Sequence, residues 1–442
     1  MSAHTYGGDM IWNERMECMH PEDMKNIQLE RLKYIVGYVH CNCHMYKKKL
    51  EAAGVVPEDI KDIQDIKKLP LSSKDDMRQS YPFHLFSAPL KEIAEIHVSS
   101  GTTGNPTVVG YTKQDLKLWG EVMARALCCA GAKPGDMIQN AYGYGLFTGG
   151  LGIHYGAQEM GLTILPCSSG QTKRQLKLMM DFKPRILSCT PSYAMYMAEE
   201  ARDLGISPKE SSWEIGVFGA EPWSELMRKE IESTWNILAT DVYGLSEIIG
   251  PGVAQECSYK KGLHVFWDVF YPEVLDVKTG KDVKEGETGE LVITTLTKQG
   301  IPLLRYRTRD IVGIKYEKCK CGRTTPRITK IQGRTDDMII VRGINVFPSQ
   351  IEHVLLGVEG VKPHYQLVVE RKAGGLDDLE ILVEVEPEIF SDEMKHLKSL
   401  EEKIRKEIES ILGVIVKVKL VEPKTLERSE GKAKRVIDKR TV

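Results

Sequence analysis

Residues 98–112 read VSSGTTGNPTVVGYT, with glycines, a proline and a run of hydroxyls between apolar flanks. A loop of this kind presents backbone N–H groups and hydroxyls with little side-chain bulk in the way, which suits an oxyanion, phosphate above all. Ser99, Ser100, Gly101, Thr102, Thr103 and Gly104 are the donors it offers; the plain alternative is a flexible surface turn. Two other nucleotide signatures fail. No Gly-Lys-Ser/Thr triplet closes a Walker-type loop, and GYGLFTGGLG at 143–152 lacks the third glycine of a dinucleotide fingerprint.

A second constellation is soft-ligand chemistry. Cys257 and His264 flank a turn-like SYKKGL, and Cys319-Lys-Cys321-Gly reads as a tight hairpin. Four such ligands on two neighbouring turns suit a closed, structural Zn²⁺ site, and a glycine after the last cysteine lets the backbone turn. The competing reading is four unrelated residues with reduced thiols. HCNCH at 40–44 would put His40 and His44 one helical turn apart on a single face, but with no carboxylate partner it reads as structure.

These groups need a scaffold. The 442 residues carry a net charge of −2 and ordinary apolar and charged fractions, so more than one domain is expected and no basic nucleic-acid surface is implied. No apolar run reaches the length of about 18 residues that a membrane span needs. The start, MSAHTYGGDMIWNERMEC, lacks the layout of an export signal, so the ten cysteines read as cytoplasmic thiols or metal ligands.

Residues 22–53 read as one helix, with Ile27, Leu32, Ile35 and Val36 on its apolar face. From about residue 93, short β-rich runs (93–98, 137–142, 162–166, 185–189, 215–218, 238–243) alternate with amphipathic stretches such as 115–130. That alternation predicts α/β layers with largely parallel strands. Closely spaced strands then mark a β-rich, antiparallel subdomain over about 257–333. After the polar turn GRTDD at 333–337, the runs YQLVVE, LEILVEVE and VIVKVKLVE surround a helix-like 391–412. The reading is a large N-terminal α/β domain over 1–335 and a small C-terminal α+β domain over 336–442. The lysine-rich stretch 428–440 alone could be a solvated charge run.

SSGTTGNPT resembles the phosphate-binding signature of adenylate-forming enzymes, the acyl-CoA synthetase and luciferase superfamily. Further matches follow in order: FGAEPW (218–223), DVYGLSE (241–247), YRTRD (306–310), GRTDDMIIVRGINVFPSQIE (333–352) and EGKAK (430–434). YGYGLFTGGLGIHYGA, YGLSEIIGPGVAQEC, FYPEVLD and RGINVFPSQIE are similar, within that superfamily, to phenylacetate–CoA ligases. The resemblance spans residues 10–440.

It implies a two-step reaction in which ATP and a carboxylate give an acyl adenylate and pyrophosphate, and the CoA thiol then displaces AMP. It implies that loop 99–107 holds the β- and γ-phosphates, with Ser100, Thr102 and Thr103 the main donors, that Tyr243 stacks on adenine, and that Gly219, Ala220 and Glu221 form the opposite wall. Asp241 and Gly244 belong to the same nucleotide segments. Glu247 would hold Mg²⁺, Asp310 the ribose hydroxyls, and Arg334 the ribose or phosphate. Lys432 would sit between the carboxylate and the α-phosphate; the residues alone do not separate it from Lys434 and Arg435. Asp336 would be the hinge, with Arg342 and Gly343 replacing Lys432 when the small domain turns. Tyr142, Tyr144, Phe147 and Gly149 are the expected lining of an aromatic acyl pocket. ATP, Mg²⁺, CoA and an aromatic acid are the implied small molecules, and a homodimer the implied assembly.

Other classes compete. An adenylating enzyme on the same scaffold could use another aromatic acid or a non-CoA acceptor. A non-catalytic nucleotide binder has no use for Lys432, Asp310 and Glu247 together, and a zinc-bearing nucleic-acid binder would want a basic surface.

Overall fold

The computed structural model describes residues 4–6, 9–98, 105–335, 339–341, 344–371, 377–386, 389, 394–429 and 433–440. A twelve-stranded sheet organises the large domain. Its parallel half runs, in spatial order, Thr163–Pro166, Met137–Asn140, Ile186–Cys189, Ile215–Gly219 and Leu238–Leu245. The order reverses beside Met137–Asn140, and in such sheets ligands bind outside the carboxyl ends of the strands at the reversal. The loops that leave those ends carry residues 142–149, 219–221 and 246–247.

The antiparallel half grows directly from this sheet. Leu238–Leu245 turns back into Gly250–Glu256, which pairs with Leu263–Val265 and so on through Tyr306–Lys315 to Phe270–Leu275. The β-rich region therefore begins at Gly250, earlier than its expected start near 257, and shares hydrogen bonds with the parallel strands. Gly219 and Gly244 are required by close approach. A Cβ on Gly219 would meet the Val242 oxygen at 2.3 Å, and one on Gly244 the Gly250 oxygen at 1.9 Å.

Helix Lys113–Cys129 covers one face of the sheet. It starts with a reciprocal cap: Thr112 Oγ1 accepts from Asp115 N at 3.1 Å, and Asp115 Oδ2 accepts from Thr112 N at 2.9 Å. Asp115 is fully buried because its carboxylate also accepts from the N–H groups of Gln299 and Gly300.

The expected single helix over 22–53 is two helices, Pro21–Asn42 and His44–Ala53. Cys43 leaves the helical region at φ −120° and ψ 111°, with its sulfur buried 3.7 Å from the Leu85 oxygen. His40 and His44 thus lie on different helices and share no helical face.

The smaller C-terminal domain has a four-stranded sheet in the order Lys417–Val421, Asp377–Val385, Val361–Arg371, Val436–Asp438, covered by helices Pro348–Leu356 and Met394–Leu412. Leu367, Ile381, Val383, Ile404 and Ile408 form its core, all fully buried. Val436 pairs in parallel with Leu367, so the lysine-rich stretch ends as a sheet strand rather than a free charge run.

Candidate active site

Ser99, Ser100, Gly101, Thr102, Thr103 and Gly104 lie outside the described residues, as do Asp336, Arg342, Gly343 and Lys432. The strand that feeds the expected phosphate loop is described. The Leu146 oxygen accepts from Val98 N at 3.2 Å and lies 3.0 Å from His97 Nδ1. Buried His97 is held in turn by Glu95, 2.6 Å from its Nε2. The feeding strand Ile93–Val98 and the expected acyl loop are therefore tied to one carbonyl.

Tyr243 and Asp310, from strands on either half of the sheet, meet directly. The Tyr243 hydroxyl donates to Asp310 Oδ2 at 2.6 Å, and Arg334 NH1 donates to Oδ1 at 2.9 Å. Asp310 is 2% exposed and pairs with Arg334 across the strands. The expectation gave Asp310, Arg334 and Tyr243 separate roles toward ribose, phosphate and adenine. The structure joins them in one network.

Ala220 adopts φ +70° in the turn after Ile215–Gly219. Glu221 Oε1 accepts from Ser192 N at 2.8 Å and Oε2 from Ala433 N at 2.9 Å, the latter residue belonging to the small domain. Burial raises the Asp241 carboxyl to about 7, against the pull of Lys330 and with a further push from Glu256. Glu247 is buried, with Lys74 Nζ 3.2 Å from its Oε1.

Tyr142 is buried with its hydroxyl toward the Gly219 backbone but outside hydrogen-bond geometry. Its ring lies 3.6 Å from where a Cβ on Gly149 would stand, an ordinary contact distance, so the two residues are neighbours. The Tyr144 hydroxyl accepts from Asn140 Nδ2 at 2.8 Å and lies 3.2 Å from His154 Nδ1. Phe147 departs from expectation. It caps helix Thr148–Met160 and is 55% exposed, because the helix start turns its ring outward rather than onto Tyr142.

Sequence reasoning missed Lys298. Fully buried, it donates to the carbonyl oxygens of Ile248 at 2.7 Å and Glu247 at 3.3 Å, with its Nζ 4.7 Å from the Tyr111 ring centroid. Burial lowers its pKa to about 8, with Asp115 and Glu247 opposing. A lone lysine in TTLTKQG gives no local signal of such a role.

The four soft ligands do converge. Cys257 and Cys319 sulfurs lie 3.8 Å apart, Cys321 Sγ is 3.4 Å from His264 Nε2, and all four donor atoms fall within 4.8 Å of one another. Tetrahedral Zn²⁺ at its usual bond lengths would separate sulfurs by about 3.8 Å. His264 Nδ1 lies 2.9 Å from Thr325 Oγ1, which leaves Nε2 for a metal. Gly322, at φ +98°, closes the hairpin by donating to the Cys319 oxygen at 3.1 Å. The donor set fits zinc.

Residues 24–297 match the family described as AMP-binding enzyme, and 343–440 the AMP-binding enzyme C-terminal domain. A phenylacetate-coenzyme A ligase of Thermus thermophilus is 50% identical over 98% of this chain and 100% of its own. That of Escherichia coli is 44% identical over 98% of this chain and 99% of its own. Among solved structures, 2-hydroxyisobutyryl-CoA ligase in the postadenylation state, bound to R3-HIB-AMP, is 28% identical with a TM-score of 0.91, covering 97% of this chain and 92% of that one. The same enzyme with 2-HIB-AMP and CoA in the thioester-forming state gives a TM-score of 0.72 at 27% identity, covering 100% and 97%. Matched along nearly its whole length, the chain belongs to the phenylacetate–CoA ligase family of the adenylate-forming AMP-binding enzymes.

Proposed function

We infer that the chain is an AMP-forming phenylacetate–CoA ligase. ATP and the carboxylate give an acyl adenylate with release of pyrophosphate; the CoA thiol then attacks the acyl carbon and AMP leaves. The observation that carries this reading is full-length identity of 43% to 50% with relatives named for that activity. A panel of carboxylic acids assayed for AMP release with and without CoA tests it. Phenylacetate-like acids should lead, and best turnover with palmitate or acetate would overturn it.

A carboxylate is a poor acyl donor because its leaving group would be oxide, and joining it to AMP removes that obstacle. Positioning and electrostatics then carry most of the catalysis. In this reading Asp310 accepts from the ribose hydroxyls while Tyr243 and Arg334 hold it in place. Loop 99–104 donates to the β- and γ-phosphates, and residues 219–221, Asp241 and Gly244 line the adenine side. Glu247, braced through its own backbone by Lys298, is the residue to hold Mg²⁺, through the oxygen other than the one that Lys74 engages. Mg²⁺ bound there supplies charge neutralisation at the phosphate oxygens. Lys432 neutralises charge between carboxylate and α-phosphate. Tyr142, Tyr144 and Gly149 border the acyl group, with Phe147 at its solvent rim.

The domain boundary in this reading falls between residues 335 and 336, with Asp336 the pivot and Arg342 and Gly343 arriving in the second step. The contrast between TM-scores of 0.91 and 0.72 supports a small domain seated on the adenylation side. Zinc at Cys257, His264, Cys319 and Cys321 is structural, since four protein ligands leave no open position. None of the ten cysteines is in a disulfide, which favours a reducing cytoplasmic setting; among the described residues no helix is long and apolar enough to cross a membrane. A homodimer rests on the family resemblance alone.

A further inference from the structure

Helix Pro191–Asp203 belongs to the large domain and starts as its sequence demands, with Thr190 capping and Pro191 in the first turn. Ser192, Glu199 and Asp203 are spaced by seven and four residues, so they share one face. Each holds a residue of the small domain. Arg435 NH2 donates to Ser192 Oγ at 3.3 Å, Arg428 donates to Glu199, and Lys424 pairs with Asp203. As the helix runs 192, 199, 203, its partners run 435, 428, 424. The last segment of the small domain thus lies antiparallel along this face.

Glu199 is the centre of the contact. Its Oε2 accepts from Arg428 Nε at 3.0 Å, and its Oε1 accepts from Arg428 NH2 at 3.3 Å and lies 2.8 Å from His364 Nε2. Arg428 is already set for it. Glu384, with a side chain 1% exposed, grips the guanidinium through NH1 and NH2, each at 2.7 Å, and also accepts from Lys424 N and Leu426 N. The small domain therefore presents a fixed donor fork, and Glu199 is the large domain's answer to it. On the other side of residue 432, Ala433 N donates to Glu221, whose second oxygen holds Ser192 N of the same helix. Described contacts to one helix and its Glu221 partner thus bracket the lysine segment on both sides.

We propose that this helix face is the docking rail that seats the small domain for adenylation, with Glu199 as its positioning residue. The proposal rests on the reading that Lys432 serves adenylation.

The test measures two half-reactions separately: phenylacetate-dependent ATP–pyrophosphate exchange, and thioester formation from preformed phenylacetyl adenylate and CoA. Glu199→Gln keeps shape but loses the charge, and should slow exchange about tenfold while thioester formation is unchanged or faster. Asp203→Lys, at a more exposed pair, should slow exchange about threefold, and adding Lys424→Asp should restore it. Loss of both half-reactions together in Glu199→Gln, or exchange at the normal rate in Glu199→Gln and Asp203→Lys, would overturn the proposal. Lys432→Ala run in parallel separates the two ideas: if it slows exchange alone, the underlying reading stands whatever Glu199→Gln does. If it spares exchange, the reading of Lys432 fails and the rail fails with it.

Discussion

The Tyr243 hydroxyl donates a 2.6 Å hydrogen bond to Asp310 Oδ2, joining the last parallel strand to an antiparallel strand across the proposed nucleotide site. Arg334 secures the other oxygen at 2.9 Å, so the carboxylate is aimed before any ligand arrives. In the proposed role toward ribose, such a preset acceptor needs no reorganisation on binding.

Tyr243→Phe removes that donor and leaves a buried carboxylate oxygen short of a partner. An unpaired buried polar group costs about 1–3 kcal/mol, so KM for ATP should rise at least about fivefold, with kcat changed less. Steady-state kinetics against ATP decide it; an unchanged KM would detach Tyr243 from the ribose site.

Asp336→Pro fixes φ near −65° at the proposed pivot. Adenylation, followed as pyrophosphate release in a single turnover, should survive, while transfer to CoA slows by an order of magnitude or more. Unchanged overall turnover would remove Asp336 from the hinge.

Metal analysis of the purified protein should find about one zinc per chain. The double substitution Cys319→Ser with Cys321→Ser should lose it and lower the melting temperature. Zinc-free protein from metal-replete growth, or full stability of the double variant, would end this assignment.

Asp241 makes stability depend on pH. Folded, its carboxyl holds a proton up to about pH 7; its ordinary value is 3.8. Between those values the native state binds more protons than the unfolded one, so this group's contribution is full below pH 3.8 and is lost as pH rises to about 7. Glu256 adds to the shift, and Lys330 and Arg228 oppose it. Asp241→Asn should therefore gain stability relative to the parent across that window, read by urea unfolding at several pH values. A constant difference between the two proteins would refute the shift.

Much of this was legible in the sequence where one residue type serves one purpose. Apolar runs such as IGVF at 215–218 can hardly be other than buried strand, and Cys257, His264, Cys319 and Cys321 announced a cluster because few roles suit three thiols and an imidazole. What stayed hidden depends on tertiary partners. The helix break at Cys43 is masked because apolar spacing continues through Val39, Tyr46 and Leu50; only the packing against Leu85 reveals it. Phe147 looked like pocket lining because its composition suits a ring, yet its place at a helix start decides its exposure. Glu199 and Lys298 are unremarkable in the chain, and their partners lie far along it, at Arg428 for one and at Glu247 and Ile248 for the other.

Lys298 also sets where redesign can reach. Its ammonium is locked beneath residues 247 and 248 by two carbonyls and the Tyr111 ring, with Asp115 holding the adjoining residues 299 and 300. This floor is one interlocked unit drawn from distant parts of the chain, and a single exchange there unsettles every neighbour. Leu146 and Phe147 are 61% and 55% exposed, and the contacts to Val98 and His97 use the Leu146 backbone oxygen, which a side-chain exchange keeps. With the acyl site as proposed, a library aimed at new acids should vary the rim and leave the floor untouched.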